Sequence, residues 1–277
     1  MTKESLYPAR RRAEMLEFLR DRVQASIHEL ADEFGVSEDT IRRDVEALAT
    51  QGSVDRTHGG VTISPDDRLN PVVPFGKRID AQAAAKDEIA RAAASLIEEG
   101  QSVIIYGGTT TLAMAKYLAP KRGLTVVTNN LPLPHELYTR GARDIYVLGG
   151  SYQPRSQVAI GPVALSDGAG TPRSIHAHWA IIGVGGVSDE GTVWTSSLPE
   201  AGMMHSMMEC ASRTLLLADS SKFGRQEFAE VSGLSPTTTL ITDKRPSQAL
   251  LDRAAEAGAR VVVTAELEDP DRVDIDE

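Results

Sequence analysis

The sequence predicts an α/β protein with two domains, a small helical domain that ends in a hairpin and a larger domain built on a mainly parallel sheet. The first region contains three amphipathic helical segments followed by a hairpin with a glycine pair. In the larger region, short apolar runs alternate with helical stretches, as in buried parallel strands joined by crossover helices. Three prolines in the stretch between them disfavour helix and sheet. We therefore predict a helical domain at 1–63, a linker at 64–78, an α/β domain at 79–265 and an acidic tail at 266–277.

Length and composition exclude several classes of protein. The 277 residues are 41% hydrophobic and 25% charged, which is ordinary for a globular protein and excludes wholesale disorder. No apolar run approaches the roughly 18–20 residues that span a bilayer, and the first residues lack the apolar stretch of a secretory signal. We therefore expect a cytoplasmic protein. The single cysteine, Cys210, excludes an internal disulfide, and the six histidines lack metal-ligand spacing, so we expect neither a metal nor a cofactor.

The helical domain carries its own start and stop signals. A first helix is predicted over about residues 8–22. Ser26 and Glu29 have the spacing of a capping box, and the helix that they open ends at Gly35. Ser37 caps a third helix, which ends near Gly52. The remaining residues to position 63 predict a two-stranded wing that turns at the glycine pair.

The tight turn between the second and third helices is typical of a helix-turn-helix motif, whose second helix enters the DNA major groove. An apolar stripe on the third helix faces the core and leaves the arginines at 42 and 43 on or beside its outward face. Asp44 falls near the buried edge, so we expect a structural salt bridge there. The plain alternative is a packing module whose arginines are only solvated. The predicted DNA-contacting residues are Ser37, Thr40, Arg42, Arg43, Arg56 and His58.

Net charge does not favour a nucleic-acid partner. The chain carries a net charge of −10, and its first 64 residues contain nine Lys and Arg against twelve Asp and Glu. Net charge governs long-range association, whereas a local cationic face can exist in an acidic domain. The prediction of DNA binding therefore depends on where the arginines lie.

In the larger domain, polar and glycine-rich clusters follow the predicted strands. Two glycines and three threonines follow the first strand, where glycine lets an anion approach the backbone N–H groups at a helix start. Ligands of open α/β sheets bind at the carboxyl ends of the strands, so we expect these clusters to converge on one pocket, with Lys222 as the cation for a phosphate. The candidate ligand-binding residues are Gly108, Thr109, Thr110, Thr111, Asn129, Asn130, Gly149, Gly150, Gly185, Gly186 and Lys222.

Two stretches of the helical domain, S-E-D-T-I-R-R-D-V at 37–45 and R-T-H-G-G at 56–60, resemble the signature of DeoR-type transcriptional regulators. The resemblance extends from roughly Arg10 to Asp243. It implies a winged helix-turn-helix that binds double-stranded operator DNA and a sensor domain, similar in fold to ribose-5-phosphate isomerase, that binds a phosphorylated sugar. It also implies that the polar loops named above bind this effector together with Glu200.

The sequence departs from the family pattern at three positions. Tyr106 stands where many members have Asp, His178 where an acidic residue is frequent, and Met204 in a stretch that is elsewhere more polar. These changes are expected to alter the choice of effector or to reduce the site to a structural remnant. The methionine-rich helix itself is expected to pack in the core, because methionine fills irregular gaps, or to form a subunit contact.

The sequence thus predicts a repressor of a carbohydrate-catabolism operon that a phosphorylated sugar releases. One winged domain contacts few phosphates, so we expect a homo-oligomer, a dimer or a tetramer. Two alternatives stay open. One is an isomerase-like enzyme with an appended helical domain and with Asp219 and Glu200 as its acid–base groups; the sequence shows no tuned pair, so we expect no enzyme. The other is a regulator that no longer binds a small molecule.

Overall fold

The computed structural model describes residues 8–22, 24–50, 53–57, 59–63, 75–138, 144–154, 156–167, 169–267, 269 and 273. The chain folds into two compact units, Met1–Val73 and Pro74–Glu277. No helix within the described ranges is long and apolar enough to cross a membrane.

The first unit is a winged helix-turn-helix, which confirms the predicted fold. Its elements are α1 (Pro8–Arg22), β1 (Gln24–Ser26), α2 (Ile27–Phe34), α3 (Glu38–Thr50), β2 (Val54–Thr57) and β3 (Gly60–Ile63). All three helices contribute to one apolar core, in which Met15, Leu30 and Ile41 are fully buried. Val54 and Val61 of the wing pack into the same core, so the wing is held by the helices.

The predicted two-stranded wing is present, since β2 and β3 pair antiparallel, but a third strand joins it. β1 pairs antiparallel with β3, from Gln24 opposite Thr62 to Ser26 opposite Gly60, and the sheet has the order β1-β3-β2. A strand of three residues is too short to show a period of two in the sequence. Gly60 permits this pairing, because a Cβ at that position would lie 2.8 Å from the carbonyl oxygen of Ala25.

The capping box that opens α2 forms as predicted. The Ser26 hydroxyl accepts a hydrogen bond from the Glu29 N–H at 3.1 Å, and the Glu29 carboxylate accepts one from the Ser26 N–H at 2.7 Å. These bonds hold the pKa of Glu29 below its usual value, with the backbone bond from Ser26 as the main cause. Gly35 ends the helix in the left-handed conformation, at a φ of 63°.

We predict that Ser26→Ala speeds amide hydrogen exchange in α2 about fivefold, since loss of an N-cap costs roughly 1 kcal/mol. Exchange measured by mass spectrometry on the whole chain would test this. Ser206→Ala, inside a helix of the second unit, is the matched control and should leave α2 unchanged. Equal exchange rates in the Ser26→Ala variant and the parent would show that the cap contributes nothing.

Asp44 forms the structural salt bridge that its position predicts. Its Oδ2 lies 2.6 Å from Nε of Arg11, and its Oδ1 lies 3.7 Å from Nε of Arg12. The side chains of Asp44 and Arg11 are nearly inaccessible, with 7% and 6% exposed. Since removing one partner of a buried ion pair is strongly destabilising, this contact fixes α1 against α3.

The second unit is a parallel α/β domain, again as predicted. Its helices are Phe75–Asp80, Ala83–Ser95, Thr109–Ala113, Ala115–Leu118, Leu133–Tyr138, Leu198–Glu209 and Gln248–Glu256, with 3-10 turns at Ser220–Lys222 and Thr264–Glu266. Its strands are β4 (Ser102–Ile105), β5 (Thr125–Thr128), β6 (Asp144–Val147), β7 (Ser151–Gln153), β8 (Val158–Ile160), β9 (Leu165–Ser166), β10 (Pro172–Arg173), β11 (Ala177–Gly183), β12 (Gly186–Val187), β13 (Thr192–Thr195), β14 (Ala211–Leu217), β15 (Ala229–Gly233), β16 (Thr238–Thr242) and β17 (Arg260–Val263).

Seven strands form the central sheet in the order β17-β16-β14-β11-β4-β5-β6. Every neighbouring pair in this sheet is parallel. All seven strands therefore end at one side of the sheet, which we call the carboxyl edge. Both faces are covered, as a parallel sheet requires. Val103 and Ile105 pack into the cluster that contains Ile89, whereas Ile104 packs into the cluster that contains Met204 and Met207.

The predicted boundary between the linker and the second domain needs correction. Residues 64–74 lie outside the described part of the chain, but residues 75–78 belong to the helix Phe75–Asp80, which begins at the buried Phe75. Of the predicted acidic tail, the structure describes residues 266, 267, 269 and 273. Leu267 and Val273 are partly buried against the core of the second unit.

Two further details were not predicted. The second unit begins with two consecutive helices, Phe75–Asp80 and Ala83–Ser95, and Gln82 between them has a φ of 55°, in the left-handed region that non-glycine residues rarely adopt. Small antiparallel sheets, β7-β8, β9-β10 and β12-β13-β15, also accompany the central sheet. Their strands have two to five residues, which is too few to show the alternation of apolar and polar positions that marks a strand in the sequence.

Candidate functional site

The two arginines on the exposed face of α3 differ in their contacts. Arg42 lies 2.9 Å from a Glu38 oxygen and 3.1 Å from an Asp39 oxygen, in exposed pairs within the helix. Arg43 is exposed and makes no hydrogen bond or ion pair with any residue that the structure describes. Exposed pairs contribute about 0–1 kcal/mol, so Arg42 can exchange its partners for phosphate. Arg43 is the more available of the two for base edges.

The amino end of α3 is organised by its own hydroxyls. The Ser37 hydroxyl accepts a hydrogen bond from the Thr40 N–H at 3.3 Å, and the two side-chain oxygens lie 2.9 Å apart. Both residues therefore stabilise the helix start, where they remain placed for a phosphate. Arg56 is exposed on β2, and His58 lies outside the described residues.

At the carboxyl edge, the loops after β4 and β5 are bonded to each other. The Gly107 N–H donates to the Asn129 side-chain oxygen at 2.8 Å, and the Asn130 side-chain nitrogen donates to the Gly108 carbonyl at 3.4 Å. The Thr111 hydroxyl donates to the Gly108 carbonyl at 3.0 Å. These contacts bring two of the predicted polar clusters together, and Thr109 and Thr110 lie in the first turn of the helix that begins there.

The loop after β11 meets the segment that follows β14. A Cβ on Gly185 would overlap the Glu227 carboxylate, and a Cβ on Gly186 would overlap the backbone of Arg225. The Gly224 N–H also donates to the Val187 carbonyl at 2.9 Å. Glycine at 185 and 186 therefore lets the segment after β14 lie directly on the loop after β11.

Within that segment, Asp219 caps its own turn. Its carboxylate accepts from the Ser221 N–H at 3.0 Å, and Asp243 accepts from the Ser220 N–H at 2.5 Å. One oxygen of the Asp219 carboxylate, the group that the enzyme alternative would use as a base, is thus engaged with Ser221. Lys222 follows the turn, partly exposed, and its ammonium makes no hydrogen bond or ion pair with the described residues.

Glu200 lies in the first turn of the helix Leu198–Glu209. One of its oxygens accepts hydrogen bonds from the Thr195 and Ser196 hydroxyls, at 3.1 Å and 2.8 Å. Its N–H donates to Ser197, the N-cap of the helix. The carboxylate is thus fixed at the helix start and keeps the capacity to accept further hydrogen bonds.

Two residues of the site, Arg78 and Glu227, were missed by the sequence analysis, whereas Tyr106 was named there as a departure expected to alter the choice of effector. They act electrostatically on each other and on two predicted residues, so we call Arg78, Tyr106, Glu200, Lys222 and Glu227 the charged cluster. Burial raises the pKa of Glu227, which Lys222 opposes and Glu200 reinforces. Burial likewise raises the pKa of the Tyr106 hydroxyl well above its usual value, and Glu200 adds to this. No local motif marks Arg78 and Glu227, because only the fold brings them to Lys222.

Gly150 has a packing explanation, whereas a Cβ at Gly149 would meet no atom within 4 Å. Gly150 has a φ of 143°, and a Cβ there would overlap the backbone of Ile160 at the end of β8. The close approach of two strands is therefore sufficient to require glycine at 150. Arg155, which follows this loop in the sequence, lies outside the described residues.

Two of the three departures from the family pattern lie away from the charged cluster. His178 is at the amino end of β11, where its Nδ1 accepts from the Ser102 N–H at 3.1 Å. Met204 is buried in the core with Met203 and Met207, which confirms the packing interpretation of the methionine-rich helix. Tyr106 alone belongs to the cluster.

No group of three His, Cys, Asp or Glu side chains in the described ranges is arranged to hold a metal ion. The charged cluster offers the ligand chemistry of its own side chains. Its guanidinium and ammonium suit an anion, and its carboxylates suit hydroxyl donors.

Comparison with known proteins gives matches over both units. Models of the DeoR-like helix-turn-helix domain and of the DeoR C terminal sensor domain match residues 11–66 and 81–244. The HTH-type transcriptional repressor CsqR of Escherichia coli (strain K12) is 31% identical over 258 residues, which cover 92% of this chain and 95% of that protein. The Glycerol-3-phosphate regulon repressor of the same organism is 30% identical over 232 residues, covering 84% and 89%. A ribose 5-phosphate isomerase A structure from Methanocaldococcus jannaschii has a TM-score of 0.36 and 12% identity over 50% of this chain and 53% of its own, a similarity too low to bear on the site.

Proposed function

Because the chain belongs to the DeoR family of transcriptional regulators, we propose that its first unit represses an operon by binding duplex operator DNA, and that a phosphorylated sugar bound to its second unit releases that operator. Membership in this family makes the chain a DNA-binding regulator rather than an enzyme. The protein acts where the chromosome is, in the cytoplasm.

For the effector, the observation that carries the proposal is the composition of the charged cluster at the carboxyl edge. Lys222 and Arg78 supply positive charge, and the glycine-containing loop after β4 supplies backbone N–H groups to an anion. Glu200 and Glu227 are acceptors for sugar hydroxyls. A ligand with one strongly anionic group and several hydroxyls offers partners to both the cationic side chains and the carboxylates. The name of the Glycerol-3-phosphate regulon repressor associates one relative with a ligand of this class.

Operator recognition is proposed to use a homo-oligomer. One α3 offers a single unpaired arginine to the groove, whereas specific sites are typically about 10³–10⁷-fold tighter than bulk DNA. Two winged domains in one assembly gain affinity through effective concentration. Sedimentation of the purified chain would test this, and a monomer at the concentration that saturates the operator would contradict it.

The test of the whole proposal uses the DNA upstream of the chain's own gene and a scrambled duplex of equal length. At physiological ionic strength we expect clear preference for the native duplex. One member of a panel of triose, pentose and hexose phosphates should reduce this affinity about 5- to 150-fold, the usual range of effector coupling. Equal binding to both duplexes, with and without the panel, would overturn the proposal. Turnover of a panel member would favour the isomerase alternative, and absence of any thermal stabilisation would favour a regulator without a small ligand.

A further inference from the structure

Arg78 is an unusual group for the place where it lies. It belongs to the helix Phe75–Asp80, the first element of the second unit. Its guanidinium carbon lies 5.7 Å from the ring centre of Phe75, which is itself 5% exposed. Its Nε and Nη2 atoms are buried and have no hydrogen-bond partner among the described residues. Arg78 as a whole is partly exposed, but buried donors of a cation that stay unused are unfavourable unless an anion accepts from them.

The guanidinium faces the charged cluster. Burial lowers the pKa of Arg78, and Glu200, Tyr106 and Glu227 act in the opposite direction. The buried Tyr106 hydroxyl and the Asn130 side-chain oxygen likewise have no partner among the residues that the structure describes. The polar atoms of these three side chains are therefore available for hydrogen bonds to a ligand. The Glu200 and Glu227 carboxylates act on Arg78 by charge but make no hydrogen bond with its buried Nε and Nη2, so those donors can bind an anion.

A second buried cation holds the helix that carries Arg78. The Lys86 ammonium donates hydrogen bonds to the backbone carbonyls of Arg78 and of Ala81, the latter at 2.5 Å. Lys86 is 7% exposed, and a cation at the carboxyl end of a helix is favourable. Gln82, in its left-handed conformation, forms the joint between this helix and Ala83–Ser95. The helix is therefore fastened at its carboxyl end by Lys86, and Arg78 connects it to the charged cluster.

We propose that Arg78 binds the anionic group of the effector, and that this bond fixes the helix Phe75–Asp80 and so makes it the element that reports occupancy to the DNA-binding unit. The inference rests on the proposed function, since it concerns the same effector site. An anion bound to Arg78 engages these buried donors only while the helix is in this position. The effector consequently binds this arrangement better than any in which the helix has moved, which is the differential affinity that a conformational change requires. Along the chain, the segment before the helix leads to the wing. Fixing the helix Phe75–Asp80 therefore fixes one end of that segment.

The test uses the full chain and inorganic phosphate as the probe, with sodium chloride at equal ionic strength as the reference. Hydrogen exchange in the peptide covering residues 75–82 should slow when phosphate is added to the parent protein. Arg78→Gln should weaken phosphate binding about tenfold or more, the usual effect of losing a charged hydrogen-bond partner, and should abolish the added protection. Arg122→Gln, at an exposed position before β5 and away from the carboxyl edge, is the matched control and should behave as the parent.

The outcomes separate this inference from the proposed function. One contrary outcome has three parts: Lys222→Gln weakens phosphate binding, phosphate does not change the exchange at 75–82, and Arg78→Gln binds phosphate with normal affinity. This outcome would overturn the inference and leave the effector site in place. No phosphate or sugar-phosphate binding by the parent would overturn both. The exchange measurement on the parent needs no variant, so poor folding of Arg78→Gln would not remove the test.

Discussion

Arg43→Ala is expected to weaken binding to the native operator by about 10- to 100-fold, because an arginine on a base edge contributes roughly 1–3 kcal/mol of discrimination. Arg43 is exposed on α3 and has no partner among the described residues, so its removal costs the folded domain little. Affinity for scrambled DNA should fall much less. The ratio of the two affinities, measured by fluorescence anisotropy over a range of salt concentrations, is the decisive quantity.

Arg42 provides the matched comparison on the same helix. Its guanidinium is engaged with Glu38 and Asp39, so we expect Arg42→Ala to reduce both affinities alike, as loss of a phosphate contact does. Unfolding temperatures of both variants should match that of the parent. If Arg43→Ala keeps the native-to-scrambled ratio, α3 does not read bases through this residue.

Lys222→Ala is expected to abolish the effect of the sugar phosphate on operator binding while leaving the affinity without effector unchanged. The ammonium is partly exposed, has no partner among the described residues and acts on Glu227, so its loss removes charge from the cluster without opening a core. Thr110→Ala, in the first turn after the β4 loop, should have the same effect. Operator affinity with and without the active panel member gives the measurement.

The control for Lys222→Ala is Lys244→Ala. Lys244 is exposed and follows β16 at the same edge of the sheet, yet no member of the charged cluster shows its influence. Lys244→Ala changes the net charge by the same amount as Lys222→Ala, and it should leave the response of operator binding to the sugar phosphate intact. A normal response of the Lys222→Ala variant, at the effector concentration that the parent needs, would place the ligand elsewhere.

Local signals were sufficient for most of the fold. The capping box at Ser26 and Glu29 and the stop at Gly35 predicted α2 correctly, because each depends on residues a few positions apart. The strands of the central sheet were found because they are continuous apolar runs. β1 and the small antiparallel sheets were missed, since their few residues pair with partners far along the chain.

The candidate site was predicted in part. Loops at the carboxyl edge follow from parallel topology, which is why the Gly107–Asn129 contact joins two predicted clusters. Gly150 has the same sequence signature, yet the approach of β8 alone explains it. Arg78 could not be found, because it lay in a stretch read as a linker and its surroundings are assembled from distant segments. A single arginine carries no sign of what the fold will place around its guanidinium.

The ion pairs of Asp44 with Arg11 and Arg12 have an implication for how a winged helix-turn-helix domain evolves or is re-engineered. The tilt of the reading helix is set from its inner side, by residues that need never meet a nucleotide. We therefore expect that exchanging an outer side chain such as Arg43 would change the preferred promoter and leave the docking angle unchanged. A substitution at Arg11, by contrast, would reduce the specificity of binding at every promoter.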